Sequence, residues 1–131
     1  MESRMTPLEW ADAMEGRFIE FAARVCDVVE NLPDNRKGRH IAGQMIRSGT
    51  SPAPNYAEAC AAESRADFTH KLSIVLKELR ETRVWLKLAI RCKCLPAKRL
   101  QPLIDECTEL MNITGKSITT AKTSAPVKKR R

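Results

Sequence analysis

The sequence predicts an all-α protein: an antiparallel up-down-up-down four-helix bundle with a kinked or broken second helix. Three observations predict it. Apolar residues recur at three- and four-residue spacing in four successive segments. Strand-like alternation is weak throughout, and the polar connections are short, so successive helices must fold back as antiparallel neighbours. The 131 residues amount to one domain, long enough to hide roughly two-thirds of its surface.

The first helix is signalled at Thr6, with Pro7 and Glu9 fitting an N-cap, a first-turn proline and a capping-box partner. Trp10, Met14, Phe18, Phe21, Ala22, Val25, Val28, Val29 and Leu32 then form one apolar face. Gly16 weakens its middle, and Pro33 stops it. The second segment starts near Lys37 or Arg39 and carries Ile41, Ala42, Met45 and Ile46 before Pro52 and Pro54. Each proline lacks a backbone donor and crowds the carbonyl four residues back, so the helix kinks, or breaks and restarts. Asn55 and Glu58 have capping-box spacing, which favours a restart over Tyr56 to Ala62.

Ser64 with Asp67 is a further capping-box pair and opens the third helix. Phe68, Leu72, Val75, Leu76, Leu79, Thr82, Leu86 and Ile90 make its buried stripe, and it runs to Cys92 or Cys94. At 1.5 Å per residue that is roughly 40 Å, a length that suits a bundle. The fourth helix buries Leu100, Leu103, Ile104, Cys107, Leu110, Met111, Thr114 and Ile118. Pro102 fits a first turn, which makes residues 97–101 a separate turn, and Gly115 favours fraying. The expected bundle domain is 1–121, with 122–131 a basic disordered tail.

Two other faces of the third helix stand out on a helical wheel. Ile74, Trp85, Leu88 and Ala89 form a second apolar patch, read as an oligomer interface. Lys77, Arg80, Lys87 and Arg91 form a basic ridge able to track phosphates, although Glu78 and Glu81 lie close in sequence. The whole chain has 23 Lys and Arg against 16 Asp and Glu, a formal charge of +7. Five of those cations, including Lys128, Lys129, Arg130 and Arg131, lie in the tail. The tail and the ridge are the candidate nucleic-acid contacts, to RNA or DNA.

No glycine-rich phosphate loop, metal-spaced histidine pair or activated nucleophile is apparent, so no enzyme activity, cofactor or metal is expected. Five cysteines and no recognisable leader fit a reducing, cytoplasmic compartment. No run of about 20 apolar residues offers a membrane span.

Gln44, Arg47, Ser48, Ser51, Pro52, Asn55, Ala57 and Glu58 stand in a stretch that resembles the signature of a bacterial four-helix-bundle family, the 23S ribosomal RNA intervening-sequence proteins. Phe18 to Pro33 resembles that family's first helix and Asp67 to Leu88 its third. Pro52 directly after Ser51, the second proline, and Ala59 in place of a glycine are departures. The resemblance implies a ring-like homopentamer. It also implies kinship with the accessory protein of diversity-generating retroelements, which binds nucleic acid and a reverse transcriptase. The resulting expectation is a non-enzymatic homo-oligomeric bundle that binds nucleic acid or recruits a nucleic-acid enzyme such as a reverse transcriptase. The alternative is a protein-interaction scaffold with no nucleic-acid role. Arg47 has two readings, a partner acid on a neighbouring helix or subunit, or phosphate.

Overall fold

The computed structural model describes residues 4–124. Helix α1 spans Pro7–Glu30, capped by Thr6, whose hydroxyl accepts from Glu9 N at 3.1 Å. Helix α2 spans Arg36–Thr50 and α3 spans Pro52–Cys60. Helix α4 spans Arg65–Arg91, and α5 spans Ala97–Thr123. Together α2 and α3 make the second helix of a four-helix, largely antiparallel bundle. Helices α1 and α4 touch α2, α3 and α5 but not each other, so they occupy opposite corners.

The second helix bends rather than breaks. Ser51 between its two arms keeps helical dihedrals, φ −69° and ψ −37°. The bend follows from two prolines two residues apart, each removing a donor from the ladder. Asn55 does not cap a restart, contrary to the capping-box expectation. It lies inside α3, and its amide donates to Ser51 O and Ser51 Oγ, both at 2.9 Å. Glu58 turns instead to Lys71 of α4, at 3.2 Å.

Gly16 and Gly115 do not interrupt their helices, because neighbouring Met14, Phe18, Met111 and Thr114 are locked in the core. Tertiary packing outweighs the roughly 1 kcal/mol propensity cost of glycine. Nor do residues 97–101 form a separate turn. Helix α5 begins at Ala97 and holds Pro102 in its second turn. The carbonyl thus left without its helical partner belongs to exposed Lys98, so it is not buried unsatisfied. At the other end of the turn, Lys93 takes φ 57°. Cys94 N then donates to Ala89 O and Lys93 N to Ile90 O, both at 2.9 Å, closing α4 with a Schellman motif.

The core joins Phe18, Phe21 and Val25 of α1 to Ile41 and Met45 of α2, Leu79 and Leu86 of α4, and Leu100 and Leu110 of α5. Trp10 departs from the expected buried face. It is 49% exposed at one end of the bundle, where it lines a shallow groove with Phe68, Ile113 and Thr120.

Helix α2 approaches α1 closely enough that one position admits only hydrogen. A Cβ on Gly49 would lie 2.5 Å from Val25 Cγ1, and Val25 is fully buried. A β-branched neighbour in a close-packed core has no free rotamer to adopt. Gly49→Ala should therefore destabilise the fold by about 1–3 kcal/mol despite better helix propensity. Urea unfolding checks this, and an unchanged or higher midpoint would refute the close approach.

Candidate functional site

Helices α2 and α4 are joined by a polar seam flanking the core. Ser48 is fully buried on α2, and Thr82 is fully buried on α4. Their hydroxyls bond at 2.9 Å, and Thr82 also donates to Glu78 O at 2.8 Å. Beside Ser48 in the chain, Arg47 pairs with two carboxylates of α4. Its Nη1 lies 3.4 Å from Glu78 Oε2, and its Nη2 bonds Glu81 Oε2. The Trp85 indole N–H donates to the same Glu81 oxygen at 3.1 Å. His40, two turns before Arg47, sets its ring edge-on to Trp85 with centroids 5.8 Å apart. Arg47 thus pairs with acids on a neighbouring helix of its own chain, one of its two expected readings.

The arrangement follows from helical spacing. His40, Gln44 and Arg47 share the side of α2 that faces α4. Glu78, Glu81 and Trp85 share the side of α4 that faces α2. Glu78 is only 9% exposed, so its charge is held by Arg47 rather than by water. The acidic partners were the missing part of the sequence reading. Glu78 borders the buried stripe on the side away from Lys87, and Glu81 lies farther round on that same side.

This seam changes the meaning of the basic ridge. Lys77, Arg80, Lys87 and Arg91 are all exposed on α4. Among the described residues none of the four pairs with an acid. The other cations of α4 are engaged differently. Lys71 pairs with Glu58, and Arg83 donates to Thr108 Oγ1 on α5 at 3.1 Å. Glu78 and Glu81, which could have neutralised the ridge, are turned away toward Arg47. Lys128, Lys129, Arg130 and Arg131 lie outside the described residues.

The second apolar patch is narrower than expected. Ala89 is fully buried in the core of its own chain and drops out of it. Ile74 and Trp85 are half-buried, and Trp85 packs against that core. Leu88 remains 37% exposed, and Val84, at the border with the ridge, is 60% exposed. On the opposite corner, α1 exposes Leu8 and Ile19.

Of the remaining signature residues, Ser51 and Asn55 hold the bend, Pro52 is buried within it, and Gln44 is half-buried beside the seam. Far from the seam, Arg17 ties α1 to α5 by bonding Glu106 at 2.7 Å and Glu109 at 3.2 Å. All five cysteines are free. Cys107 donates its thiol to Leu79 O at 3.2 Å, and burial pushes its pKa up to about 12. It is an inert core residue rather than a nucleophile. Among the described residues no cluster of His, Cys, Asp or Glu is placed to hold a metal ion, and no helix is long and apolar enough to cross a membrane.

Removing Arg47 would leave Glu78 nearly dry and unpaired. Arg47→Met should cost about 1–2 kcal/mol, a value reduced by the guanidinium's own exposure to water. In a double-mutant cycle with Glu78→Gln the two losses should be less than additive. Strict additivity in urea unfolding would show that the pair carries no coupling.

The comparisons agree with this architecture. The family model described as 23S rRNA-intervening sequence protein matches residues 14–116. A crystal structure of a protein of unknown function from the S23 ribosomal protein family of Bacteroides thetaiotaomicron VPI-5482 is 36% identical, with a TM-score of 0.76. The alignment covers 81% of this chain and 98% of that one. Among the curated proteins none matches significantly. A bent second helix stitched to α4 through Arg47, and a matching family model over most of the length, place this chain in the 23S rRNA-intervening sequence protein family.

Proposed function

We propose that this protein is a non-enzymatic, ring-forming homo-oligomeric bundle that binds nucleic acid through the exposed ridge of α4. The observation that carries it is the set of four solvent-facing cations, Lys77, Arg80, Lys87 and Arg91, without acidic partners among the described residues. A merely solvated helix face would interleave charges of both signs and pair them. Here the two available acids serve the seam instead. The family's name attaches it to ribosomal RNA, and the resemblance to the retroelement accessory protein supports recruitment of a nucleic-acid enzyme, such as a reverse transcriptase, by the same assembly.

Oligomerisation, as a homopentamer by the same resemblance, supplies strength that one ridge lacks. Several copies of a weak site raise avidity without new contacts. Leu88 on α4 and Leu8 and Ile19 on α1 are exposed on opposite corners of the bundle. Unlike patches on opposite sides favour head-to-tail contact, the kind that closes into rings.

Fluorescence anisotropy across a salt series tests binding. Affinity for RNA or DNA should fall steeply with salt, and replacing the four ridge cations by Gln should flatten the slope by about 3–4 per protomer engaged. No binding at low salt refutes the nucleic-acid reading and leaves the scaffold alternative. Mass measurement tests assembly separately. Leu88→Glu should shift the parent oligomer toward monomer without unfolding it, whereas Trp85 is unsuitable because its indole also serves the seam. A monomeric parent refutes the assembly.

A further inference from the structure

From the layout of the ridge we infer that its ligand is an A-form duplex, bridged across a groove rather than tracked along one strand. The inference rests on the nucleic-acid reading above and specifies its substrate class.

The cations fall into two pairs. Lys77 and Arg80 lie at one end, and Lys87 and Arg91 at the other. The pair midpoints are ten to eleven residues apart, which at 1.5 Å per residue is about 16 Å along the helix. Between them the outward position is Val84, 60% exposed and without charge. A single strand followed along its backbone would favour evenly spaced cations. Two clusters around an apolar gap instead match two phosphate backbones flanking a groove floor.

The chemistry of the strip points the same way. Proteins that hold single strands supply exposed aromatic rings on which bases stack. The ridge has none. Trp85, the one aromatic in this stretch of α4, is half-buried, with its N–H bonded to Glu81 and its ring against His40. From Lys77 to Arg91 there is no Asn or Gln to read adenine edges, and Thr82 is buried. The surface is therefore fitted to backbone and shape.

Depth separates the duplex forms. Helix α4 is packed against α2, α3 and α5, and presents one face only. Reading a B-form major groove about 8.5 Å deep requires a helix that projects beyond its neighbours and carries base-reading side chains, and α4 is flanked by α2, α3 and α5 and carries no Asn or Gln on this strip. The wide, shallow minor groove of an A-form helix needs no penetration and offers sugar hydroxyls and phosphates at its surface. Val84 would lie over that floor, with one cation pair on each backbone.

Competition anisotropy on the full-length protein tests this, using an RNA hairpin, a DNA duplex of the same sequence and an unpaired RNA of equal length at one salt concentration. The hairpin should compete about tenfold better than either rival. Lys77→Gln with Arg80→Gln, and Lys87→Gln with Arg91→Gln, should each weaken hairpin binding by a similar factor. Val84→Glu should weaken it several-fold with oligomer mass unchanged. Unpaired RNA competing equally overturns the duplex assignment, and DNA duplex competing equally overturns the A-form assignment. Absence of binding to all three overturns the underlying nucleic-acid reading, a result distinct from either.

Discussion

The contact on which the outer surface depends is the one between Arg47 and the two carboxylates of α4. A long amphipathic helix can roll about its axis while keeping much of its apolar stripe covered. The buried Ser48–Thr82 bond and the Arg47 bridge remove that freedom. Once Glu78 and Glu81 face α2, the remaining polar residues of α4 are fixed by geometry. Arg83 must reach α5, and Lys77, Arg80, Lys87 and Arg91 must face water. The positive character of the exposed strip is thus a consequence of where the negative charges were needed inside.

The bend in the second helix makes that contact possible. Pro52 and Pro54 deflect the chain, and Asn55 holds the deflection through two bonds to Ser51. Both arms then reach α4, α2 through Arg47 and Ser48, α3 through Glu58 and Lys71. Just before the bend Gly49 lets the backbone of α2 close on Val25 of α1. The family signature therefore serves structure first. Its residues set a bend, a close approach and a charge clamp within a dozen positions.

Most of the fold was legible because helical periodicity reports burial directly. The caps at Thr6 and Ser64, the stop before Pro33 and the long third helix of the sequence reading all appear in the structure. What was not legible involved partners distant in sequence. Capping-box spacing at Asn55 and Glu58 is a local signal, and Ser51 and Lys71 offered those side chains other partners. Trp10 shares the apolar angle of α1 but sits over an open groove at the end of the bundle, which a wheel cannot show. Ala89 was assigned to a surface patch by angle alone, yet a small side chain at that edge is covered by its neighbours. The ridge was visible as spacing, but its lack of acidic partners depended on Arg47, thirty positions upstream.

That dependence also separates structural roles from proposed binding roles among residues of one charge. Arg47 and Arg17 are cations facing acids across helix junctions, and their loss should register mainly in stability. The ridge cations have no such partners, so neutralising them should spare the fold while changing what the surface attracts. Removing four unpaired like charges from one helix face even relieves mutual repulsion. If the ridge binds nucleic acid as proposed, its physical signature is a fold that tolerates, or gains slightly from, the very substitutions that weaken salt-dependent association.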